Sequence, residues 1–387
     1  MKNIFLLLTL LLFWNCKESP KKSTQNPPEE FPVDIKKAVE IAYAKGFKIE
    51  HQGKITVVKV TAPWPNANRT YTYALIDKKD LKSITFDASL YDAIIPTPVA
   101  TFVATSTTHI PAIESLEIAD KLNGFPGTDY ISSEAIRKNI NEGKIKELGL
   151  NETINIEVLL NLEPEMVMGF TVEGENKTYD NIQSAQIPVV YNGDWVEQTP
   201  LGKAEWIKFF GVFFNKEQLA DSLFNEIVSN YKEAKKIAQN AAENPTVLSG
   251  SMFKDIWYVP AGDSWMAHFL KDANANYLWE NTEGTGSLSL NFESVLDTAK
   301  DAEYWIGAGH FTSFTELAES NGHYTKFEAF KNKKIYTYSL TKGETDGLLF
   351  YELAPSRPDI VLKDFIHILH PESLEDYEPI FFKPLNP

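Results

Sequence analysis

The chain has 387 residues, 43% of them hydrophobic and 23% charged, with a formal net charge of −16. That length suits two domains of ordinary size, and the acidic balance excludes nucleic acid as the main partner, because phosphate binding needs clustered Lys and Arg. A single cysteine, Cys16, excludes an internal disulfide framework, while 24 Phe, 16 Tyr and 8 Trp leave aromatic side chains for a binding cleft after the core is filled.

The first segment reads "MKNIFLLLTLLLFWNC". A Lys precedes an apolar run from Ile4 to Trp14 that is too short to span a bilayer and fits the core of a signal peptide. A cysteine closing such a run resembles a bacterial lipoprotein signal, in which the thiol is acylated. Asn15 and Trp14 stand where small residues are usual, so an ordinary secretory signal is the alternative. Residues 1–16 are read as the signal, with Cys16 as lipid anchor. The polar, Pro-rich residues 17–32 are read as a flexible tether.

Residues 33–94 read as a small separate unit. "VDIKKAVEIAYAKG" (33–46) has apolar residues at helical spacing and a Gly stop. "FKIEHQGKITVVKVTAPW" and "TYTYALID" alternate as a β-hairpin does. From residue 95 strands and helices alternate. "VATFVATS" (99–106) is a buried strand, "HIPAIESLEIADKL" (109–122) a helix stopped by Gly124, and "EAIRKNINEGKIKEL" (134–148) a helix ended by Gly149. "MVMGF" and "IPVVYN" supply further strands, and 95–199 forms one α/β lobe. Residues 200–244 keep helical periodicity throughout and form a connector, weakly broken at Gly211 and Asn215. "TVLSGSMF" restarts the alternation, "DSWMAHFLKDANANYLW" is helical, "KIYTYS" is a strand, and "PDIVLKDFIHILHP" closes a second α/β lobe over 245–387.

The two lobes share a phrase. "INIEVLLNLEPEMVMGF" (154–170) and "LNFESVLDTAKDAEYWIGAG" (290–309) each place an Asn at an N-cap position, a Glu in the first turn, an apolar helical stripe and a strand ending at Gly. Ile156, Leu159 and Leu160 share one face, as do Phe292, Val295 and Leu296. Glu157 and Glu293 lie off those stripes, toward solvent.

These segments, with "IPVVYN" before the long helix and "VLSGSMF…WYVPAGDSWMAHFLKDAN", resemble the iron-siderophore and vitamin B12 family of ABC-transporter substrate-binding proteins over roughly residues 95–372. The resemblance implies two Rossmann-like lobes with mostly parallel sheets, joined by one long rigid helix, with ligand in the cleft between them. It also implies that Glu157 and Glu293 dock in arginine pockets of a membrane permease driven by its ATPase. The expected protein is a periplasmic or cell-surface lipoprotein, a monomer that binds and does not catalyse.

In such lobes ligands meet loops at the C-terminal ends of strands. Those loops offer His109, Tyr130, Phe170, Tyr191 and Trp195 from the first lobe, and Met252, Trp257, Trp265, His310 and Lys342 from the second, with Arg357 nearby. Aromatic faces with few charged groups suit a large chelate: a ferric siderophore first, with cobalamin or haem as alternatives. His109, Tyr130, Tyr191 or His310 could serve haem as axial ligand. Convergence of His109, Asp129, His310 and His323 on a bare metal is a further alternative, although the seven histidines are scattered and only His367 and His370 lie close together. No nucleophile elbow, zinc-protease motif, P-loop or dinucleotide fingerprint marks an enzyme. An envelope hydrolase or an adhesive lipoprotein are the other classes weighed.

Overall fold

Two buried carboxylates decide how the described chain begins. The computed structural model describes residues 37–172, 174 and 176–387. The signal segment, Cys16, the tether and residues 33–36 therefore lie outside the described residues. The helix expected over 33–46 is not formed in its described part: Lys37–Ala38 is a short strand and 42–46 is a bent loop. The amides that a helix would satisfy internally are satisfied from afar. Ala42, Tyr43 and Ala44 donate to the Glu205 carboxylate at 2.9, 2.7 and 2.8 Å, and Lys45 and Gly46 donate to Glu197 Oε1 at 2.8 and 2.7 Å. Tertiary hydrogen bonds override local periodicity here.

The loop leads into a five-stranded sheet rather than a hairpin. Its order is Lys37–Ala38, Phe47–Gln52, Ile55–Val60, Tyr71–Asp77, Ala93–Thr97, with the last pair parallel and the others antiparallel. The fifth strand crosses the expected boundary at residue 94. Alternate residues pack inward, among them Ile49, Val58, Val60, Tyr73 and Leu75.

The first lobe holds a parallel sheet ordered Val189–Tyr191, Met166–Gly169, Phe102–Ala104, Leu122–Phe125, Lys146–Glu147. Two helices are shorter than their periodicity suggests. One covers Ile110–Ser115, ended by Glu117 at φ 58°, so Gly124 lies within a strand. The other covers Glu134–Asn141, ended at Gly143 (φ 72°), which frees Lys146–Glu147 to join the sheet edge.

The connector is three helices: Pro200–Ala204, Trp206–Phe213 and Glu217–Gln239. The last, 23 residues long, spans about 35 Å at 1.5 Å per residue. Tyr231 and Lys235 hold it to Asp272 of the second lobe at 2.7 and 2.6 Å.

The second lobe's main sheet runs Asn276–Tyr277, Thr246–Ser249, Tyr304–Ile306, Ile335–Thr337, Lys383–Pro384, parallel except for the last pair. In each lobe the repeated phrase occupies the same place. It is the crossover into a strand parallel to the lobe's first strand: Met166–Gly169 beside Phe102–Ala104, and Tyr304–Ile306 beside Thr246–Ser249. In each lobe the next strand of the same sheet, Leu122–Phe125 or Asn276–Tyr277, pairs on the other side of that first strand, so both first strands sit at a switch point of strand order. The Asn residues cap as expected: Asn155 Oδ1 accepts from the Val158 amide at 3.1 Å and Asn291 Oδ1 from the Ser294 amide at 2.8 Å. Glu157 and Glu293 are both exposed, while Leu160, expected on the apolar stripe, is 41% exposed.

Candidate functional site

The switch point of the first lobe opens a cleft. Thr105, Ser106 and Thr107, directly after the strand Phe102–Ala104, line it with 125–127, Tyr130, 149–152 and Phe170. The second lobe closes the far side with 346–348 and Tyr351. The space is about 630 Å³, within the range of small-molecule sites. Tyr130, Leu150 and Tyr351 are 66, 60 and 53% exposed there. Large apolar side chains left open to water on facing walls mark a binding surface.

A buried tyrosine organises the first wall. The Tyr179 hydroxyl lies 3.0 Å from Thr105 Oγ1, 2.8 Å from Asn151 Oδ1 and 2.9 Å from the Phe170 carbonyl. Thr105 Oγ1 also accepts the Phe170 amide at 3.1 Å, and Asn151 Nδ2 donates to the Phe170 carbonyl at 3.3 Å. Three wall segments thus meet at one phenol, which burial holds protonated. Gly169 permits the approach, since a Cβ there would come within 2.7 Å of the Tyr179 ring.

The opposite wall is tied to the first lobe by hydrogen bonds. The Ser132 and Ser133 amides donate to the Glu352 carboxylate at 2.6 and 2.9 Å. Ser132 Oγ donates to the Gly347 carbonyl at 3.0 Å, and Thr345 Oγ1 to the Asp129 carbonyl at 2.7 Å. Burial beside Glu114 pushes the Glu352 carboxyl up to about 7 despite its two amide donors.

Of the ten candidate ligand residues, Tyr130 and Phe170 line this cleft. His109 is fully buried against Phe210, with burial depressing its pKa to about 4. It packs as a core histidine and is not among the lining residues of the cleft, where it was expected. Trp257 is equally buried, because the second switch point carries a hairpin instead of an open loop. Gly250 (φ 82°) turns the chain so that Ser251–Phe253 pairs with Ile256–Pro260, and Trp257 points inward, donating to the Ser249 carbonyl at 3.2 Å. Tyr191 packs at 4% exposure among Trp64, Tyr71 and Tyr179. Trp195 and Trp265 are half-buried; Lys203 Nζ donates to the Trp195 carbonyl at 2.8 Å and sits 5.5 Å above the Trp265 ring. Met252 is half-buried beside Asn321. His310 is exposed and stacks on Phe311. Lys342 is exposed, 3.5 Å from Asp346, and lines a neighbouring groove. Arg357 is held by Asp359.

His367 Nδ1 contacts the Leu374 carbonyl and His370 Nε2 the Ala273 carbonyl, so the two rings do not share a ligand. Among the described residues no three His, Cys, Asp or Glu side chains gather as metal ligands would. The sequence reading missed Leu150, Asn151, Leu348 and Tyr351. Tyr351 lies nine residues beyond Lys342, the candidate before it in sequence, on the five-residue helix Leu349–Leu353, too short to leave a periodic signal.

Among the described residues no helix is long and apolar enough to cross a membrane. The chain is 26% identical over 302 residues to an uncharacterised lipoprotein of Methanocaldococcus jannaschii, covering 76% of this chain and 70% of that one. Its fold is similar to a periplasmic haem-binding protein of Pseudomonas aeruginosa, with a TM-score of 0.57 at 15% identity over 75% of this chain and 99% of that one. It is also similar to a possible iron-binding, periplasmic solute-binding protein of Staphylococcus epidermidis, with a TM-score of 0.55 at 17% identity over 71% and 100% of the two chains. The profile of one family, periplasmic binding protein, matches residues 103–339, more than half of the sequence. With two α/β lobes, a helical connector and a cleft at the switch point, this chain belongs to the periplasmic binding protein family.

Proposed function

We propose that this chain is the extracytoplasmic receptor of an ABC importer, held at a membrane through Cys16, that captures a ferric siderophore or related metal chelate between its lobes. The observation that carries the reading is the cleft itself. Tyr130 and Phe170 face Leu348 and Tyr351 across a space with few charged groups, which suits a large chelate with apolar faces. The work is binding and delivery, not catalysis. Glu157 and Glu293, exposed on equivalent capped helices of the two lobes, would dock on cationic pockets of the permease, which works with its ATPase. The similar proteins described above, one haem-binding and one possibly iron-binding, support a chelate as cargo.

A second reading keeps the receptor and changes the cargo to cobalamin or haem. The lack of Lys and Arg among the described lining residues favours cobalamin over haem, whose propionates are anionic. The test is titration of the purified protein with ferric siderophores, cobalamin and haem, following tryptophan quenching and visible absorbance. Saturable 1:1 binding below micromolar Kd supports the receptor; no binding by any of them contradicts it.

A further inference from the structure

We infer that the cleft sorts chelates by charge, taking neutral or cationic complexes and rejecting anionic ones. The inference rests on the receptor reading and specifies the ligand class of that same site. Among the described residues the lining carries two acidic side chains, Glu152 and Asp346, and no Lys or Arg. A third carboxylate stands directly behind the wall. Glu147 accepts amides from Gly127, Thr128 and Gly149 at 2.9, 2.7 and 2.7 Å, and Gly127 and Gly149 are themselves lining residues. These donors, with the Thr128 hydroxyl, hold the Glu147 carboxyl below its usual range, so it is ionised at neutral pH. Asp129 is exposed beside Tyr130 on the same loop.

The nearby cations do not offset this. Lys342 reaches Asp346 at 3.5 Å from the adjoining groove. Arg137, buried in the same groove, places Nη1 on the Thr128 carbonyl at 2.6 Å. Two cations, Lys342 and Arg137, beside four carboxylates still leave the cleft with a net negative charge, and low-dielectric aromatic walls focus its potential onto the space between the lobes. Neutral polar groups on the lining, Ser106, Thr107 and Asn151, can bond hydroxamate or amide oxygens without demanding charge.

The experiment compares four probes at low salt: a neutral ferric trihydroxamate, its amine-bearing cationic analogue, a ferric tricatecholate of charge −3, and cyanocobalamin as a neutral corrinoid. Each charge step is worth about threefold in Kd at screened separations, so the neutral or cationic trihydroxamate should bind at least ~10-fold tighter than the trianion. Added salt should weaken the cation and relieve the trianion. The double variant Glu152→Gln/Asp346→Asn, at two exposed positions, should shrink the preference at least ~3-fold while leaving thermal unfolding unchanged. A trianion that binds as tightly as the neutral complex overturns the charge sorting and leaves the receptor standing. An unchanged preference in the double variant overturns the role of these carboxylates. Binding of none of the four overturns the receptor reading, and the inference with it.

Discussion

Glu352, in the second lobe, caps the amide of Ser132 in the first at 2.6 Å. The carboxyl is 3% exposed and its pKa is raised to about 7 by burial and by Glu114, whose Oε1 accepts from Ser133 Oγ at 2.7 Å. Glu134 and Lys138 line the same groove. A carboxyl raised above its solvated value binds its proton more tightly when the lobes meet. Its contribution is therefore full below about 4.5 and lost as pH rises through about 7. His109, depressed to about 4, opposes it over nearly the same window, because its stability falls as pH drops below 6.5. The wild-type profile should consequently be shallow. Glu352→Gln should expose the His109 slope, so that the variant loses stability between pH 7 and 5 relative to the parent. Thermal unfolding at half-unit pH steps checks this; parallel profiles would remove Glu352 from the account.

Glu205 should be the most sensitive single position of the scaffold. Its fully buried carboxylate serves the Ala42, Tyr43 and Ala44 amides and pairs with Lys208 at 3.2 Å. Glu205→Ala strands three buried or half-buried amides, while Lys208 keeps Asp221 at 3.4 Å and the Glu40 carbonyl at 3.0 Å, at a cost of about 3–5 kcal/mol. Urea unfolding should show that loss, and limited proteolysis should cut first within 37–46.

Tyr179→Phe removes one oxygen and the meeting point of Thr105, Asn151 and Phe170. The fold should lose about 1–2 kcal/mol. Chelate affinity should fall by more than that stability loss explains at saturating protein, read as a rise in Kd with an unchanged 1:1 end point.

Glu157→Ala/Glu293→Ala should leave chelate Kd unchanged and abolish most uptake in cells, with each single variant intermediate. Both side chains are exposed in the first turns of their helices, so thermal stability should move by less than ~0.5 kcal/mol. Normal uptake by the double variant refutes docking through this pair.

The two-lobe plan was legible because each lobe repeats a capped amphipathic helix before an apolar strand, and both signals are local. Asn155 and Asn291 cap as their positions suggested. What failed was set by partners far away in sequence. The 33–46 pattern has helical spacing, but Glu197 and Glu205 claim its amides from more than 150 residues away. Trp257 read as a cleft aromatic because nothing local announces that Gly250 starts a hairpin. At the site, Tyr130 and Phe170 were readable as loop aromatics after strands. Tyr179 and Glu352 were not, since one acts from a helix beneath the wall and the other from the opposite lobe.

The central claim is that chelate sits between the lobes, and amide hydrogen exchange with and without a neutral ferric trihydroxamate tests it most directly. The account predicts slowed exchange at 105–107, 127–130, 149–152 and 346–351 together, with 47–60 unchanged. Saturable binding that protects none of those segments, or only one lobe's, would contradict it.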